Sequence, residues 1–272
     1  MKATSSAAWP VRALRERVET LKKAMDACLE SPAVEKVHKL RTTTRRIEGQ
    51  LTLLKAMPEA PRLKRTKRLR RELKRLRQEA GAVRDLDVLL QHVARVRSGP
   101  ENTAWKDERA RLRDRLHAER EHEAKVLQHL LERRGSKVLT LLSSLLEQLE
   151  EHDTLVMEPD SLATLAHTWF LQRVKKAADT KDDVTRLHDI RKAAKVTRYM
   201  GENARGRTNA ALRLAAQMEE LQEAGGRWHD CLTLAEAAAL RLGESSSLPL
   251  HFSKRCTALR TRYEGMLQRA IA

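Results

Sequence analysis

A helical motif that occurs twice in the chain constrains its fold more than any other feature. The first copy spans Val37 to Arg46, and the second spans Leu187 to Val196. In each copy a His is followed by an Arg three positions later and by a second cation seven positions later. On a helix these three positions lie within an arc of roughly 60°, so that one face presents them together. Two such faces predict a duplicated helical unit that binds a polyanion.

A second motif follows each copy and supports the same interpretation. Gly81 stands four residues before Asp85, and Gly226 stands four residues before Asp230. Because both motifs occur in the same order at a similar separation, they indicate an internal duplication with a period far above that of solenoid repeats. An Asp after a glycine break often caps a new helix, so we expect both Asp side chains to be N-caps. Holding an Arg side chain in position is the alternative role.

The hydrophobic pattern predicts helices throughout the chain. Apolar residues recur at spacings of three and four, and no alternating strand pattern of useful length is present. We therefore predict an all-α fold in which two related helical bundles, residues 1–155 and 156–272, pack side by side. The expected helices cover approximately residues 11–25, 32–57, 62–80, 84–97, 102–134, 136–151, 162–178, 188–203, 209–224, 228–242 and 250–270. The expected cap of the second helix is Ser31, and the expected helix ends are Pro58, Gly81, Gly135 and Gly225–Gly226.

Composition favours an acidic partner. The chain has 54 Lys and Arg against 37 Asp and Glu, a formal net charge of +17, which attracts nucleic acids, anionic membrane surfaces and inorganic polyphosphate alike. Aromatic residues make up only 3% of the chain, too few for the stacking platforms of single-stranded nucleic-acid binders. The three Cys are widely spaced, no apolar run is long enough to span a membrane, and the first ten residues lack a signal-peptide core. These features favour a cytoplasmic protein without disulfides or a zinc ribbon.

Residues 62–77 form an unusually basic helical segment. Ten of them are Lys or Arg, and Glu72 is the only acid. Leu69, Leu73 and Leu76 mark the buried stripe of this segment, and the cations that point nearly opposite to it are Lys67, Arg70, Arg71 and Lys74. Because acidic partners one turn away are nearly absent, these cations repel one another. A bound anion would relieve the repulsion, so we expect the segment to contribute to binding; a solvated basic face is the alternative.

In these motifs the chain resembles the conserved histidine α-helical domain, or CHAD, family. The resemblance rests on Val37-His38-x-x-Arg41-x-x-x-Arg45-Arg46, on Gly81-x-x-Arg84-Asp85-x-Asp87-Val88 and on the weaker second copies, and it covers about residues 11–270. It implies two four-helix-type bundles around a pseudo-twofold axis, with the basic helices lining a central groove. It also implies inorganic polyphosphate as the ligand and association with polyphosphate granules, whose proteins are then further partners. The chain departs from the family's pattern at Glu48, where Arg is usual, and at His229, which replaces the Arg of the second Arg-Asp pair.

Polyphosphate is a linear polyanion, so its binding requires a row of cations rather than a single pocket. Arg suits this role because its planar fork bonds two oxygens at once, and Lys adds point charge. Protonated His38 and His188 would donate to phosphate oxygens, which predicts tighter binding as the pH drops from about 8 to about 6. Orienting a neighbouring Arg is the alternative role of each His. The expected polyphosphate-binding residues are His38, Arg41, Arg45, Arg46, Lys67, Arg70, Arg71, Lys74, His188, Arg191, Lys195 and Arg198.

The sequence leaves other functions open. The net charge and the basic segment would also serve a protein that binds the phosphate backbone of RNA or DNA, although no recognised nucleic-acid module is visible. His188-Asp189 and His229-Asp230 resemble the His-Asp pairs of metal-dependent HD phosphohydrolases, but Arg-rich surroundings disfavour a metal site. A scaffold whose charge serves only solubility is the third alternative. We expect a binding protein with no catalytic residue, cofactor or metal, located in the cytoplasm on polyphosphate granules.

Overall fold

The computed structural model describes residues 8–95, 103–204, 209–243 and 246–271. These ranges contain eight α-helices, a 3₁₀ helix at Glu150–His152 and no β-strand, so the predicted all-α fold is confirmed. The helices are α1 (Pro10–Glu30), α2 (Val34–Ala56), α3 (Thr66–Arg95), α4 (Thr103–Gln148), α5 (Pro159–Ala178), α6 (Asp183–Gly201), α7 (Ala210–Leu242) and α8 (Ser247–Ile271). Within the described ranges, none of the helices combines the length and the apolar character needed to cross a bilayer.

Three predicted helix breaks are wrong, because the glycines lie inside helices. α3, α4 and α7 run without interruption through these positions, which are Gly81, Gly135 and Gly225–Gly226. Glycine in a helix interior costs about 1 kcal/mol relative to alanine, but at Gly135 and Gly225 it admits close packing. A Cβ atom on Gly135 would lie 2.8 Å from Met25 Cε, and one on Gly225 would lie 2.8 Å from the Tyr263 ring. Pairs of expected helices are therefore single long helices. The expected end of the fourth predicted helix, near residues 98–100, lies outside the described residues.

The predicted cap of α2 is also wrong. α2 begins at Val34, with Ala33 at the N-cap position and no side-chain cap. Ser31 instead ends α1, where its backbone N–H donates to the carbonyl oxygen of Ala27 at 3.2 Å. The residues before α2 are therefore a linker rather than the first helical turn. The predicted end before Pro58 is confirmed, since α2 stops at Ala56.

Apolar side chains from both predicted halves share one hydrophobic core. Leu14 of α1, Phe170 of α5, Leu187 of α6 and Tyr263 of α8 are all fully buried in it. Each such side chain contributes about 1.5–3 kcal/mol through burial of apolar surface. The Tyr263 hydroxyl donates to the Leu187 carbonyl oxygen at 3.1 Å, which satisfies its buried polar atom. The division after residue 155 and the internal duplication stay predictions.

The close approach of α2 and α6 positions the site. A Cβ atom on Gly49 would lie 2.9 Å from Tyr199 Cβ, so the absence of a side chain at this position lets the two helices pack closely. α3 packs beside α2, and α7 packs beside α6. Polar side chains of these four helices therefore face a common space.

Candidate anion-binding cleft

Two adjoining cavities open between α2 and α6, with α3 and α7 at their edges. Their volumes are about 300 and about 390 Å³, and both are lined by His38, Arg41, Lys195 and Gln222. We refer to the two cavities together as the cationic cleft. The Lys and Arg residues that line it are Lys39, Arg41, Arg45, Arg46, Arg84, Arg191, Lys195, Arg198 and Arg227, and the acids are Asp85, Glu223 and Asp230. Cations thus outnumber acids by nine to three on this surface.

Three guanidinium groups of the cleft have a buried Nε atom without a hydrogen-bond partner. They belong to Arg41, Arg45 and Arg191. Buried polar atoms nearly always find a partner in folded proteins, and an unsatisfied one costs about 1–3 kcal/mol, more when the group is charged. Burial, with a further contribution from the charge of Arg41, lowers the pKa of Arg45 to about 10. Acceptors for these atoms would be supplied if the side chains turned toward an anion in the cleft.

Lys195 lies where the two cavities meet. Burial, followed by the charges of Arg45, Arg191 and Arg41, lowers the pKa of its ammonium group to about 6. Asp230 opposes this shift. One amine enclosed by three guanidinium groups is a strongly repulsive arrangement in the absence of a ligand.

Asp85 and Asp230 face arginines of the cleft, so the prediction that they cap helices is wrong. They lie inside α3 and α7, where no helix begins. The Asp85 carboxylate accepts a hydrogen bond from Arg41 Nη2 at 3.2 Å. Burial raises the pKa of Asp230, and the positive charge of Arg191 opposes the rise. Asp85 therefore has the alternative role that its sequence position allowed, which is to hold an Arg in place.

Two further arginines of the cleft are already paired with a carboxylate. Glu202 accepts from Arg46 Nε at 3.1 Å and from Arg198 Nε at 2.8 Å. Glu219 adds a second ion pair to Arg198 at 2.8 Å. Both guanidinium groups lie 5.8 Å from the centre of the Tyr199 ring, close enough for cation–π attraction. The Nε atoms of Arg46 and Arg198 are therefore bonded to a carboxylate, in contrast to those of the three arginines above.

The histidines occupy different positions. His38 lines both cavities, and burial followed by the charge of Arg84 lowers its pKa. His188 lies behind the cleft, with its Nδ1 atom 3.3 Å from Arg191 Nη2 and its ring 4.5 Å from that of His229. Burial, followed by the charge of Arg191, lowers the pKa of His188 to about 4 and that of His229 to about 3. These contacts fit the alternative in which His188 orients an arginine.

The comparison with known families agrees with this geometry. The family model of the CHAD domain matches residues 12–239. The chain belongs to the CHAD family. No curated protein matches it significantly.

Solved structures show the same fold as this CHAD protein. The crystal structure of the CHAD domain from the plant Ricinus communis has 23% sequence identity and a TM-score of 0.68, over 98% of this chain and 93% of that chain. PptA from Streptomyces chartreusis has 19% identity and a TM-score of 0.65, over 97% of this chain and 100% of that chain. At these identities the likeness establishes the fold alone.

The basic segment of α3 lies apart from the cleft of this CHAD domain. Lys67, Arg71 and Lys74 are exposed, and none of them lines either cavity. Arg70 is half-buried, and burial lowers its pKa while Glu48 opposes the shift. Glu48, the departure from the family's pattern, pairs with Arg77 at 2.9 Å. The structure therefore brings together seven of the twelve predicted binding residues and leaves these four, with His188, outside the cleft lining.

The acid of the basic segment, Glu72, is buried among cations of two helices. Glu72 is only 5% exposed and lies between α3 and α4. Its carboxylate is 3.0 Å from Lys137 Nζ, 3.3 Å from Arg75 Nη1 and 3.5 Å from Arg134 Nη1. Burial alone would raise the pKa of Glu72, but the hydrogen bond and the charge of Lys137 outweigh it and lower the pKa. Of these three cations only Arg75 belongs to α3, so the ion pairs of Glu72 mainly join α3 to α4.

The His-Asp pairs do not assemble a cluster of metal ligands in the described part of the chain. No group of three or more His, Cys, Asp or Glu side chains there is arranged to hold a metal ion. Asp189 pairs with Lys192 at 3.0 Å and faces a different cavity from the cleft. His229 and Asp230 line the cleft among arginines instead.

That other cavity, between α5 and α6, is a weaker candidate for an anion site. Its volume is about 390 Å³, and the Arg173 guanidinium lies 4.9 Å from the centre of the Trp169 ring in its wall. None of the buried unpartnered polar atoms found in the described ranges belongs to a residue that lines it. The cationic cleft therefore combines enclosure with unmet hydrogen-bonding capacity, and this cavity does not.

Sequence reasoning missed several residues of the cleft. Arg84 belongs to the glycine motif, and Arg227 follows Gly226 directly. Their positions in the motif could therefore have identified both as cleft residues. Gln222 lines both cavities but has no sequence signal, because one amide in a charged helix is not distinctive. Glu202 was not predicted either, since its pairing with Arg46 depends on the packing of α2 against α6.

Proposed function

We propose that this CHAD domain binds inorganic polyphosphate in the cationic cleft. The observation that carries the proposal is the set of buried, unpartnered Nε atoms of Arg41, Arg45 and Arg191 around the enclosed amine of Lys195. A folded protein retains such an arrangement at a cost in stability, and an anion that enters the cleft removes the cost. The cations that repel one another in the free protein are then each attracted to the bound anion.

The shape of the cleft supports a linear ligand rather than a single phosphate. The two cavities adjoin at Arg41 and Lys195, so the cations extend from Arg84 and Arg227 at one end to Arg46 and Arg198 at the other. Arg side chains bond two phosphate oxygens at once, and their forks hold a repeating chain of phosphates well. Internal phosphates each carry a negative charge, which matches a row of cations.

The proposed role is binding and retention of polyphosphate, without catalysis. Association with polyphosphate granules in the cytoplasm is part of the same proposal, and the resemblance to the family supports it. Incubation with long-chain polyphosphate should therefore leave its chain length unchanged on a gel. Shortening of the chain by the pure protein, lost on substitution of His229, would favour a phosphohydrolase instead.

A general affinity for nucleic acids is the competing function. The exposed cations of α3 would attract RNA or DNA phosphates as readily as polyphosphate. Base stacking in the cleft has little support, because Tyr199 is only 5% exposed and is flanked by Arg46 and Arg198. The cleft therefore offers contacts to phosphate but few to bases.

A competition experiment tests the proposal. Labelled long-chain polyphosphate is bound at near-physiological salt and challenged with unlabelled polyphosphate, RNA and DNA. We expect unlabelled polyphosphate alone to displace the label, and polyphosphate to raise the melting temperature of the protein by mass action. Equal displacement by RNA, or an unchanged melting temperature, would contradict the proposal.

The matched variants locate the effect in the cleft. Arg41→Ala/Arg45→Ala/Arg191→Ala should lose most of the affinity. A control of equal charge removes three exposed cations from α4 and α8, namely Lys125→Ala/Arg133→Ala/Lys254→Ala. Similar losses in both variants would show that net charge, rather than the cleft, determines binding.

A further inference from the structure

Lys195 differs from the other cations of the cleft in its ability to lose its charge. An Arg keeps its proton at any physiological pH, whereas a Lys that is enclosed among positive charges gives its proton up. Lys195 is such a residue, because it lines both cavities and is repelled by Arg45, Arg191 and Arg41. Its low pKa, about 6, follows from this position.

Charged and titratable groups surround Lys195 from every helix that lines the cleft. α6 itself contributes Arg191, α2 contributes His38, Arg41 and Arg45, and α7 contributes His229 and Asp230. α3 adds Arg84 and Asp85 to the wall of the same cavity. Asp85 accepts a hydrogen bond from Arg41, and Asp230 attracts the charge of Arg191. Neither acid therefore interacts with Lys195 alone.

We propose that Lys195 takes up a proton from solvent when polyphosphate enters the cleft, so that binding is coupled to pH. Phosphate oxygens beside the amine favour its charged form and offset the three guanidinium groups that repel it. The proton moves from water or buffer to the Nζ atom, and no bond of the ligand changes. This inference rests on the proposed function, because it requires the polyanion to occupy the cleft.

The coupling makes affinity rise as the pH falls. Where the free amine is neutral and the bound one is protonated, the complex holds one more proton than the free protein, and affinity changes about tenfold per pH unit. Below a pH of about 6 the free protein already carries this proton, so the gain levels off. The sequence-based expectation of tighter binding at low pH is thereby attributed to an amine rather than to the imidazoles.

Calorimetry of the intact protein measures the proton directly. Long-chain polyphosphate is titrated into the protein at about pH 7.5 in two buffers of different ionisation enthalpy, and the difference in heat gives the protons bound. We expect uptake of about one proton per occupied cleft in the wild type. Lys195→Arg keeps the positive charge and should bind with almost no uptake, while His38→Gln should keep the uptake.

A pH series on the wild type does not depend on how the variants fold. Uptake should be largest near neutral pH and should disappear at a pH of about 5, where Lys195 is already protonated in the free protein. Uptake that is absent near neutral pH and appears only at about pH 5 would assign the proton to the imidazoles and overturn the inference. Uptake lost in His38→Gln but kept in Lys195→Arg would do the same.

The outcomes separate this inference from the proposed function. Binding of polyphosphate without any proton uptake overturns the inference and leaves the proposed function standing. Absence of binding in the wild type overturns both.

Discussion

The cationic cleft and the basic segment of α3 carry similar charge but place it differently. In the cleft, Arg41, Arg45 and Arg191 have buried Nε atoms without partners. On α3, Lys67 and Arg71 are exposed to solvent. Water and salt screen exposed charges, whereas enclosed charges keep most of their interaction energy. The density of cations along a sequence therefore says less about a binding site than their enclosure in the fold.

Compensation by acids also differs between the two regions. Glu72 pairs with Arg75 of α3 and with Arg134 and Lys137 of α4, and Glu48 pairs with Arg77. In the cleft, Asp85 accepts a hydrogen bond from Arg41 Nη2, but the Nε atom of Arg41 has no hydrogen-bond partner. The ion pairs around α3 thus involve Arg75 and Arg77, whereas the expected binding residues Lys67, Arg71 and Lys74 are exposed to solvent.

The largest expected effect comes from removing the three cleft arginines whose Nε atoms have no partner. Arg41→Ala/Arg45→Ala/Arg191→Ala should weaken polyphosphate binding by more than about a hundredfold, because each charge-assisted hydrogen bond contributes about 1.5–3 kcal/mol. Fluorescence anisotropy with labelled polyphosphate measures the change. The plot of log affinity against log salt should also become shallower by about two units, since three phosphate contacts are lost. An unchanged slope would mean that these arginines do not touch the ligand.

Removing the enclosed amine should stabilise the unliganded protein. Because folding lowers the pKa of Lys195 from the value of 10.5 to about 6, the unfolded chain binds more protons between these values, and stability rises with pH across that window. Lys195→Met has no amine to deprotonate on folding, so its free energy of unfolding should exceed that of the wild type by up to about 5 kcal/mol near neutral pH.

The pH dependence identifies the cause of that gain. The advantage of Lys195→Met in urea unfolding should shrink as the pH rises toward about 10. Lys192→Met, an exposed site paired with Asp189 on the same helix, is the control and should show little change. A gain that is constant with pH would point to better packing rather than to the buried amine.

The approach of α2 to α6 can be tested through a pair of helical glycines. Gly49→Ala should destabilise the fold by about 1–2 kcal/mol, because its Cβ would lie 2.9 Å from Tyr199 Cβ and force the helices apart. A Cβ on Gly226 meets nothing within 4 Å, so Gly226→Ala should be neutral or stabilising by up to about 1 kcal/mol. Chemical denaturation compares the two variants. Equal effects would show that the helix contact is looser than described.

The smallest effect should come from the basic segment. Lys67→Ala/Arg71→Ala/Lys74→Ala should weaken polyphosphate binding only a few-fold at near-physiological salt, since solvent screens these exposed cations. The loss should grow at low salt, where the screening length increases. Affinity measured at two salt concentrations checks this. A loss as large as that of the cleft variant would remove the distinction between the two regions.

The sequence predicted the helical class and the cationic faces, because both depend on local periodicity. The spacing of Arg41 and Arg45, and of Arg191 and Lys195, was enough to place each pair on one face. Helix ends at glycine were predicted wrongly, since Gly225 makes room for the ring of Tyr263, which is distant in sequence. Local patterns cannot distinguish a glycine that ends a helix from one that makes room for a neighbour.

The site was predictable only in part for the same reason. Aligning Gly81 with Gly226 suggested equivalent roles, but Gly225 is the glycine against which Arg191 packs, with its Cδ atom 3.2 Å from a Cβ placed there. The segment containing Lys67 seemed the stronger basic feature from its charge alone. Its distance from the cleft follows from how α3 packs against α2 and α4, which is a property of the tertiary structure.

A crystal structure of the protein with polyphosphate of defined, intermediate length would test the central claim most directly. We expect phosphate oxygens at about 3 Å from guanidinium nitrogens of Arg41, Arg45 and Arg191, with the chain running through the cationic cleft past Lys195. Polyphosphate bound along the exposed face of α3, with the cleft empty, would contradict the account.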